Sequence, residues 1–325
     1  MNQLKSSFCL VLLLLLQPVS TVFSQISYKP RKEYNQKLEP KGGIWVGAGQ
    51  SGKNAFTEFT TASDSVKLPY FYMDYVGLDK FDTVKFRSRI RDWKSFPWKV
   101  VPQLGLSMTY DGKPKLHYED KVAAGLYDNQ IDLLAEELAK FSGPVMVRLG
   151  YEFNGHWNGY QPESFRKAYR HVAEKLRKKL GQNLSLVWCA ALDGENHDFE
   201  AFYPGDDVVD WWGIDVFGEK HFKHPALAPF LEKADKHGRP VLIGECSPRR
   251  LSVQLGKESV EKWFQPFFQM LADNPGIKGI SYIYWDWSKT PWADWGDGRF
   301  GKNQETKSFV IGELQNPIFL GSGKK

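Results

Sequence analysis

The residues of this sequence best suited to chemistry are two glutamates, each at the end of an apolar run. Glu152 ends residues 145–152, and Glu245 ends residues 240–245. Burying a lone carboxylate is costly, so neither glutamate is explained as core filler. At the carboxyl-terminal mouth of a parallel β-barrel, however, such positions are where active sites are built. Two carboxyl groups there point to glycoside hydrolysis, the reaction that depends on a carboxyl pair.

The chemistry sets conditions on how the pair is positioned. A retaining glycosidase needs its two carboxyl groups about 5 to 5.5 Å apart. Glu152 and Glu245 are 93 positions apart (245 minus 152), so they meet only if their strands face one mouth. Repulsion and unequal burial would then raise one pKa and leave the other group ionised. Arg148, four residues before Glu152, is either the cation that keeps a carboxylate charged or a structural ion pair inside the barrel.

Eight apolar, strand-like runs supply the elements that could position the pair. They alternate with stretches in which apolar residues recur every three or four positions, as in helices. The runs cover residues 43–47, 68–76, 99–106, 145–152, 184–191, 210–217, 240–245 and 277–287. This alternation predicts parallel strands with crossover helices, and eight units predict a single-domain (β/α)₈ TIM barrel. If the first two strands were assigned wrongly, the alternative fold is a doubly wound open sheet. Residues 80–98, between the second and third strands, fit either a helix or a long loop.

The amino-terminal residues predict export. Residues 1–24 carry one charge, at Lys5, followed by a short apolar stretch and small residues, which is the order of a signal peptide. We therefore divide the chain into a signal peptide (1–24), an amino-terminal extension (25–42), which crosses the barrel bottom or is loosely ordered, and a barrel domain (43–325). The expected mature protein is secreted or periplasmic, is not in a membrane, and is a monomer.

Charge and composition argue against several other functions. The net charge of +5 is spread along the chain, and the basic cluster at 175–179 fits a solvated helix face better than a nucleic-acid site. Residues 47–53 imitate a phosphate-binding loop, but Asn54 stands where a Ser or Thr is needed. His221 and His224 are read as a surface loop pair, and Cys189 and Cys246 as buried thiols rather than a disulfide. We expect no metal and no cofactor.

The sequence around the first glutamate resembles a known family. Arg148, Glu152, Asn154 and Gly155 match the block that closes strand four in glycoside hydrolase family 26, and Trp157 follows. Further similarity runs through residues 203–207 and 212–215 to Glu245 and Trp285, so it spans roughly residues 145–287. The resemblance implies Glu152 as acid/base, Glu245 as nucleophile and a retaining (β/α)₈ barrel. With the aromatic residues of the loops, it implies these substrate-binding residues: Arg148, Tyr151, Asn154, Trp157, Asp215, Phe217, Tyr284, Trp285, Trp292 and Trp295.

Two departures concern the subsite of the reacting sugar. Tyr151 stands where family mannanases carry His, and Phe217 stands where they carry a Tyr that hydrogen-bonds the nucleophile. Because Phe cannot donate that bond, Tyr151, Tyr282 or Tyr284 would have to replace it. Asn154 itself fits either a sugar contact or a turn before Gly155.

These observations predict an endo-acting retaining glycoside hydrolase whose partner is a β-linked polysaccharide. The resemblance places β-mannan first, with β-1,3-xylan, β-glucan or a sulfated algal polymer as rivals. The alternative is a non-catalytic carbohydrate-binding barrel, supported by Phe217 and opposed by the retention of both glutamates. An esterase or peptidase is a third class, but the sequence has no recognisable nucleophile elbow or Ser/His/Asp arrangement.

Overall fold

A computed structural model describes residues 26–50, 52–64, 66–110 and 116–323. The predicted signal peptide lies outside the described residues. The strands are β1 (Ile44–Gly49), β2 (Phe71–Gly77), β3 (Val101–Ser107), β4 (Val145–Leu149), β5 (Leu184–Ala191), β6 (Trp211–Val216), β7 (Val241–Cys246), β8 (Ile277–Ile283) and a short β9 (Phe319–Leu320). The α-helices are α1 (Lys53–Ala62), α2 (Thr83–Ser95), α3 (Glu119–Ala123), α4 (Asp128–Ala139), α5 (Pro162–Leu180), α6 (Leu227–Lys236), α7 (Lys257–Ser259), α8 (Gln265–Asp273) and α9 (Gln304–Leu314). A π-helical turn, Val260–Phe264, joins α7 to α8.

Strands β1 to β8 form a closed parallel barrel. Each pairs with the next in sequence, and β1 pairs with both β2 and β8, which closes the sheet. The predicted (β/α)₈ fold is therefore confirmed, including its first two strands. The undecided segment 80–98 contains helix α2, whose amino terminus is capped by the Asp82 carboxylate accepting the Val84 and Lys85 N–H groups.

Side chains alternate between the barrel interior and the layer between barrel and helices. On β7, Val241 and Ile243 lie in the large cluster beneath the helices, whereas Leu242 belongs to a smaller cluster with Met146 and Trp211. This alternation is the period of two expected for a strand. Arg148 on β4 and Asp215 on β6 each lie between two residues of the outer cluster, so both point inward.

The amino-terminal extension covers one end of the barrel. The Arg31 guanidinium donates to the carbonyls of Leu271 and Ala272 at the end of α8. The indole N–H of Trp211 donates to the Lys37 carbonyl, and Leu38 packs on the interior cluster. Because these contacts lie at the amino-terminal ends of the strands, the extension leaves the opposite, carboxyl-terminal mouth open.

Two smaller sequence predictions are also settled by the fold. Cys189 and Cys246 are both free and buried, as predicted. His221 is not on the surface: it is fully buried, and its ring nitrogens bond the Phe217 N–H and Asp193. Within the described ranges, no helix combines the length and apolar character needed to cross a membrane.

Candidate active site

Glu245 enters the barrel interior because β7 contains a β-bulge. The register with β6 pairs Ile214 with Ile243 and then Val216 with Cys246, which leaves β7 one residue longer. Strict alternation from Ile243 would turn Glu245 toward the helices. The extra residue instead lets both Gly244 and Glu245 face the interior, while Cys246 returns to the outer cluster.

Gly244 provides the space that this arrangement requires. A Cβ at this position would lie 2.6 Å from Asp215 Oδ1 and 2.9 Å from Arg148 Nη1. Both neighbours are fully buried, so neither can move aside easily. The glycine before the nucleophile candidate therefore lets the charged side chains of three strands meet.

A buried arginine joins the two inward-facing carboxylates. Arg148 Nη1 lies 3.0 Å from Asp215 Oδ2, and Nη2 donates to Glu245 Oε1. Its guanidinium also lies over the Tyr151 ring, 5.0 Å from the ring centre. Arg148 is fully buried and Glu245 is only 8% exposed. Arg148 thus gives each carboxyl group a charge-assisted contact. At Asp215, burial outweighs this contact and raises the pKa to about 7.

Glu152 occupies a different environment, in the loop beyond β4. The strand ends at Leu149 rather than at Glu152, and the chain turns through Gly150 (φ 59°) and Glu152 (φ 51°). A left-handed backbone is uncommon for a glutamate, and its surroundings must hold it. The Glu152 N–H donates to the Cys189 carbonyl at 2.8 Å, and Asn158 Nδ2 donates to the Glu152 carbonyl at 3.0 Å.

Burial raises the pKa of Glu152 well above its ordinary value, and the negative charges of Asp215 and Glu245 raise it further. The indole N–H of Trp157 donates to Glu152 Oε2 at 2.8 Å and acts in the opposite direction, as does Arg148. Glu152 is thus the carboxyl group whose environment favours the protonated form, whereas Glu245 contacts a cation directly.

Several indole rings line a cleft of about 410 Å³ beside Glu152. Its walls consist of Gln50, Glu152, Trp157, Asp193, Phe217, Arg249, Trp287, Trp292 and Trp295. Trp292 is 54% exposed at the rim, and Trp285 packs with the aromatic cluster next to the cleft. Flat indole faces are suited to the C–H faces of sugar rings, so the aromatic residues named from the sequence are gathered largely at one site.

Four of the predicted substrate-binding residues need correction. Arg148 and Asp215 are fully buried and bonded to each other, so they support the nucleophile candidate rather than contact substrate. Asn154 uses both amide atoms on the Ala191 backbone, at 2.9 and 2.8 Å, and therefore fixes the loop. Tyr284 is buried against the rings of Phe59 and Phe300, outside the cleft.

The structure also distinguishes among Tyr151, Tyr282 and Tyr284, the three tyrosines that could replace the hydrogen-bond donor missing at Phe217. The Tyr282 hydroxyl donates to the Gly298 carbonyl, and Tyr284 lies outside the cleft. Tyr151 remains beside the site, together with Tyr75. The charge of Glu245 contributes to a raised pKa of both phenols, after the larger effect of burial. Two neutral phenols therefore surround the Arg148–Glu245 pair.

Three cleft residues were missed by the sequence reasoning: Gln50, Asp193 and Arg249. Each follows a barrel strand by one to three positions, after β1, β5 and β7 respectively. The rule that barrel active sites are built from the loops at the carboxyl ends of strands could have found them.

The comparisons with known proteins identify the family of the chain. Residues 105–233 match glycosyl hydrolase family 26. A β-1,3-xylanase of a Vibrio species is 30% identical over 87% of this chain and 67% of its own length. The chain belongs to glycoside hydrolase family 26.

Two further matches concern a second relative and the fold. A β-1,3-xylanase of an Alcaligenes species is 27% identical over 87% of the chain and 66% of its own length, so the chain spans about two thirds of these relatives. A Bacillus subtilis mannanase structure superposes with a TM-score of 0.59 at 14% identity, covering 88% of each chain. At that identity the structural likeness concerns the fold.

Proposed function

We propose that this family 26 glycoside hydrolase cleaves a β-linked polysaccharide by double displacement with retention. Glu245, held beside Arg148, attacks the anomeric carbon, and Glu152 protonates the leaving oxygen. In the second half, Glu152 takes a proton from water while the water oxygen attacks the anomeric carbon, which breaks the bond to Glu245 and releases the sugar. The observation that carries this proposal is the contrast between the two carboxyl groups: one contacts a buried cation, and the other has a raised pKa and faces the cleft.

We propose β-1,3-xylan as the first substrate, ahead of the β-mannan favoured by sequence motifs. The named β-1,3-xylanases are similar along 87% of the chain, whereas the mannanase structures support only the fold. Tyr151 and Phe217, the two departures from the mannanase pattern, are consistent with this order. β-Mannan remains the second candidate, and β-glucan the third.

The charge of the cleft argues against a sulfated substrate. Of the cleft-lining residues, Arg249 is the cation, and it is paired with Asp193 at 2.5 Å. Binding of a sulfate ester requires a cation that is not already neutralised. A neutral polysaccharide fits better, and several indoles suit a chain of more than one sugar, as endo action requires.

The test is a product assay over β-1,3-xylan, β-mannan, β-1,3-glucan and β-1,4-xylan, followed by proton NMR of the first products. We expect most reducing ends from β-1,3-xylan and the β-anomer as the first product. An α-anomer appearing first would contradict retention. Binding of oligosaccharide without any release of reducing ends over the panel would support the non-catalytic barrel instead.

We also propose that the protein is exported and acts as a monomer. The proposal of export rests on the leader pattern of residues 1–24. Expression of the full chain with a carboxyl-terminal tag tests it: the exported protein should lack about 24 residues by mass. Recovery only of the uncleaved chain inside the cell would contradict it. Light scattering of the processed protein tests the oligomeric state.

A further inference from the structure

Three side chains that contact one another, Arg249, Asp193 and His221, lie along one wall of the cleft, apart from Glu152 and Glu245. The side chain of Arg249, three residues after β7, pairs through Nη2 with Asp193 Oδ2 at 2.5 Å. Asp193 Oδ1 in turn bonds the buried His221 ring at 2.9 Å. His221 Nδ1 accepts the Phe217 N–H, so Nε2 carries the proton that is donated to Asp193. Loops after β5, β6 and β7 are thereby tied together.

The guanidinium of Arg249 is held against aromatic rings. Its central carbon lies 4.7 Å from the centre of the Trp295 ring and 5.7 Å from that of Phe217. Planar stacking of this kind is available to arginine and not to lysine. Asp193, Phe217, Arg249 and Trp295 all line the cleft beside Glu152. The ion pair and the stacking fix the orientation of a planar donor group at the cleft wall.

The Arg249 guanidinium has more N–H donors than its contact with Asp193 uses. A guanidinium carries five N–H groups, and within the described residues the side-chain partner of Arg249 is Asp193, through Nη2. The Arg249 side chain is 15% exposed, so part of it reaches the cleft. Asp193, in contrast, has Oδ1 on His221, with Lys220 Nζ 3.9 Å away, and Oδ2 on Arg249. It is placed to position Arg249 rather than to bind a ligand itself.

We propose that Arg249 is a substrate-binding residue, whose guanidinium donates to hydroxyl groups of a sugar unit in the cleft, and that Asp193 and His221 position it. The inference rests on the proposed function, since it assigns a further contact to the same polysaccharide. Because Asp193 neutralises the cation, the ligand is an uncharged sugar. A neutral hydroxyl group can accept a hydrogen bond from the Arg249 guanidinium while the guanidinium stays paired with Asp193.

The neighbouring Arg250 provides a matched control. Arg250 has the same side chain, pairs with the exposed Asp294 at 3.1 Å, and does not line the cleft. We expect Arg249→Ala to raise KM on β-1,3-xylan oligosaccharides about tenfold or more, as loss of a hydrogen bond to a charged group does, with a smaller change in kcat. The pH profile should stay in place, and Arg250→Ala should match the wild type.

Lysine and asparagine substitutions separate binding from structural support. Arg249→Lys keeps the charge opposite Asp193 but loses the stacked fork, so we expect it to keep the raised KM. Asp193→Asn should raise KM by less than Arg249→Ala. A KM for Arg249→Ala equal to that of Arg250→Ala would overturn the proposal. If Arg249→Ala does not fold, Arg249→Gln is judged by the same KM criterion.

Failure of the proposed function is distinguishable from failure of this inference. If the wild-type chain releases no reducing ends from any polysaccharide, the proposed function fails. Titration calorimetry with the same oligosaccharides then compares wild type and Arg249→Ala. Weaker binding by the variant supports the role of Arg249, and unchanged or absent binding contradicts it.

Discussion

The two glutamates occupy environments that differ in almost every physical respect. Glu245 lies within a strand, is nearly fully buried, and contacts the fully buried Arg148. Glu152 lies beyond its strand on a left-handed backbone, lines the cleft and accepts an indole N–H. Identical side chains thus meet different electrostatic environments: one contacts a cation, and burial raises the pKa of the other. In this molecule the assignment of roles follows from what surrounds each carboxyl group, not from the residue type.

The largest loss of activity is expected when either carboxyl group is removed. Glu245→Ala should lower kcat on the identified polysaccharide by about 10⁴-fold or more, because the attacking group is lost. Glu152→Ala should be similarly inactive on polysaccharide, yet retain much of its first step on an aryl glycoside whose leaving group needs no proton.

Added azide distinguishes the two variants further. In Glu152→Ala, azide should attack the glycosyl-enzyme and give a β-glycosyl azide. In Glu245→Ala, it should replace the nucleophile and give the α-product. The same azide anomer from both variants, or full polysaccharide activity in either, would contradict the assigned roles.

The next largest effect is expected from the cation on the Glu245 side. Arg148→Met leaves Asp215 and Glu245 buried without their shared cation, which should cost about 3 to 5 kcal/mol of unfolding free energy. Denaturant unfolding measures it. Arg250→Met, which breaks an exposed pair with Asp294, should cost less than about 1 kcal/mol. Equal losses in the two variants would show that the buried arginine is not what stabilises this half of the site.

A smaller effect should follow on the Glu152 side, where the loop is held by an amide. Asn154→Ala removes both hydrogen bonds to Ala191 and leaves a buried N–H and carbonyl without partners, at a cost of about 1 to 3 kcal/mol. We expect lower kcat and a lower melting temperature. Asn196→Ala, at an exposed position of the neighbouring loop, is the control. Unchanged kcat in Asn154→Ala would mean that the loop does not need this anchor.

The smallest effect tests the pKa of Glu152 directly. The first step needs protonated Glu152, so activity should fall as pH rises through its raised pKa. Trp157→Phe removes an N–H that favours the charged form, so the pKa of Glu152 should rise and the alkaline limb should move to higher pH. A shift toward lower pH would contradict the role given to the indole N–H. The acid limb should not move.

Much of the fold was predictable because it depends on local patterns. Apolar runs spaced by amphipathic stretches predicted eight strands, and β5 was placed residue for residue at Leu184–Ala191. Strand ends were less accurate: β4 ends at Leu149 and β8 at Ile283, because apolar and aromatic residues continue into loops that line or support the site. Hydrophobicity alone does not distinguish a strand from a buried loop beyond it.

The sequence by itself determined the reaction class, because two glutamates at strand ends, within the motifs of family 26, supply the carboxyl pair that a glycosidase needs. Only the tertiary structure decided how those residues are used. Alternation along β7 would turn Glu245 away from the barrel, and the bulge after Ile243 turns it inward. From the sequence, Asn154 was as compatible with sugar binding as with a turn. In the structure, both of its amide atoms are hydrogen-bonded to the Ala191 backbone. Arg249 became a candidate only when Asp193, Phe217 and Trp295 were seen around it. These outcomes depend on register and on contacts between distant loops, which no local pattern encodes.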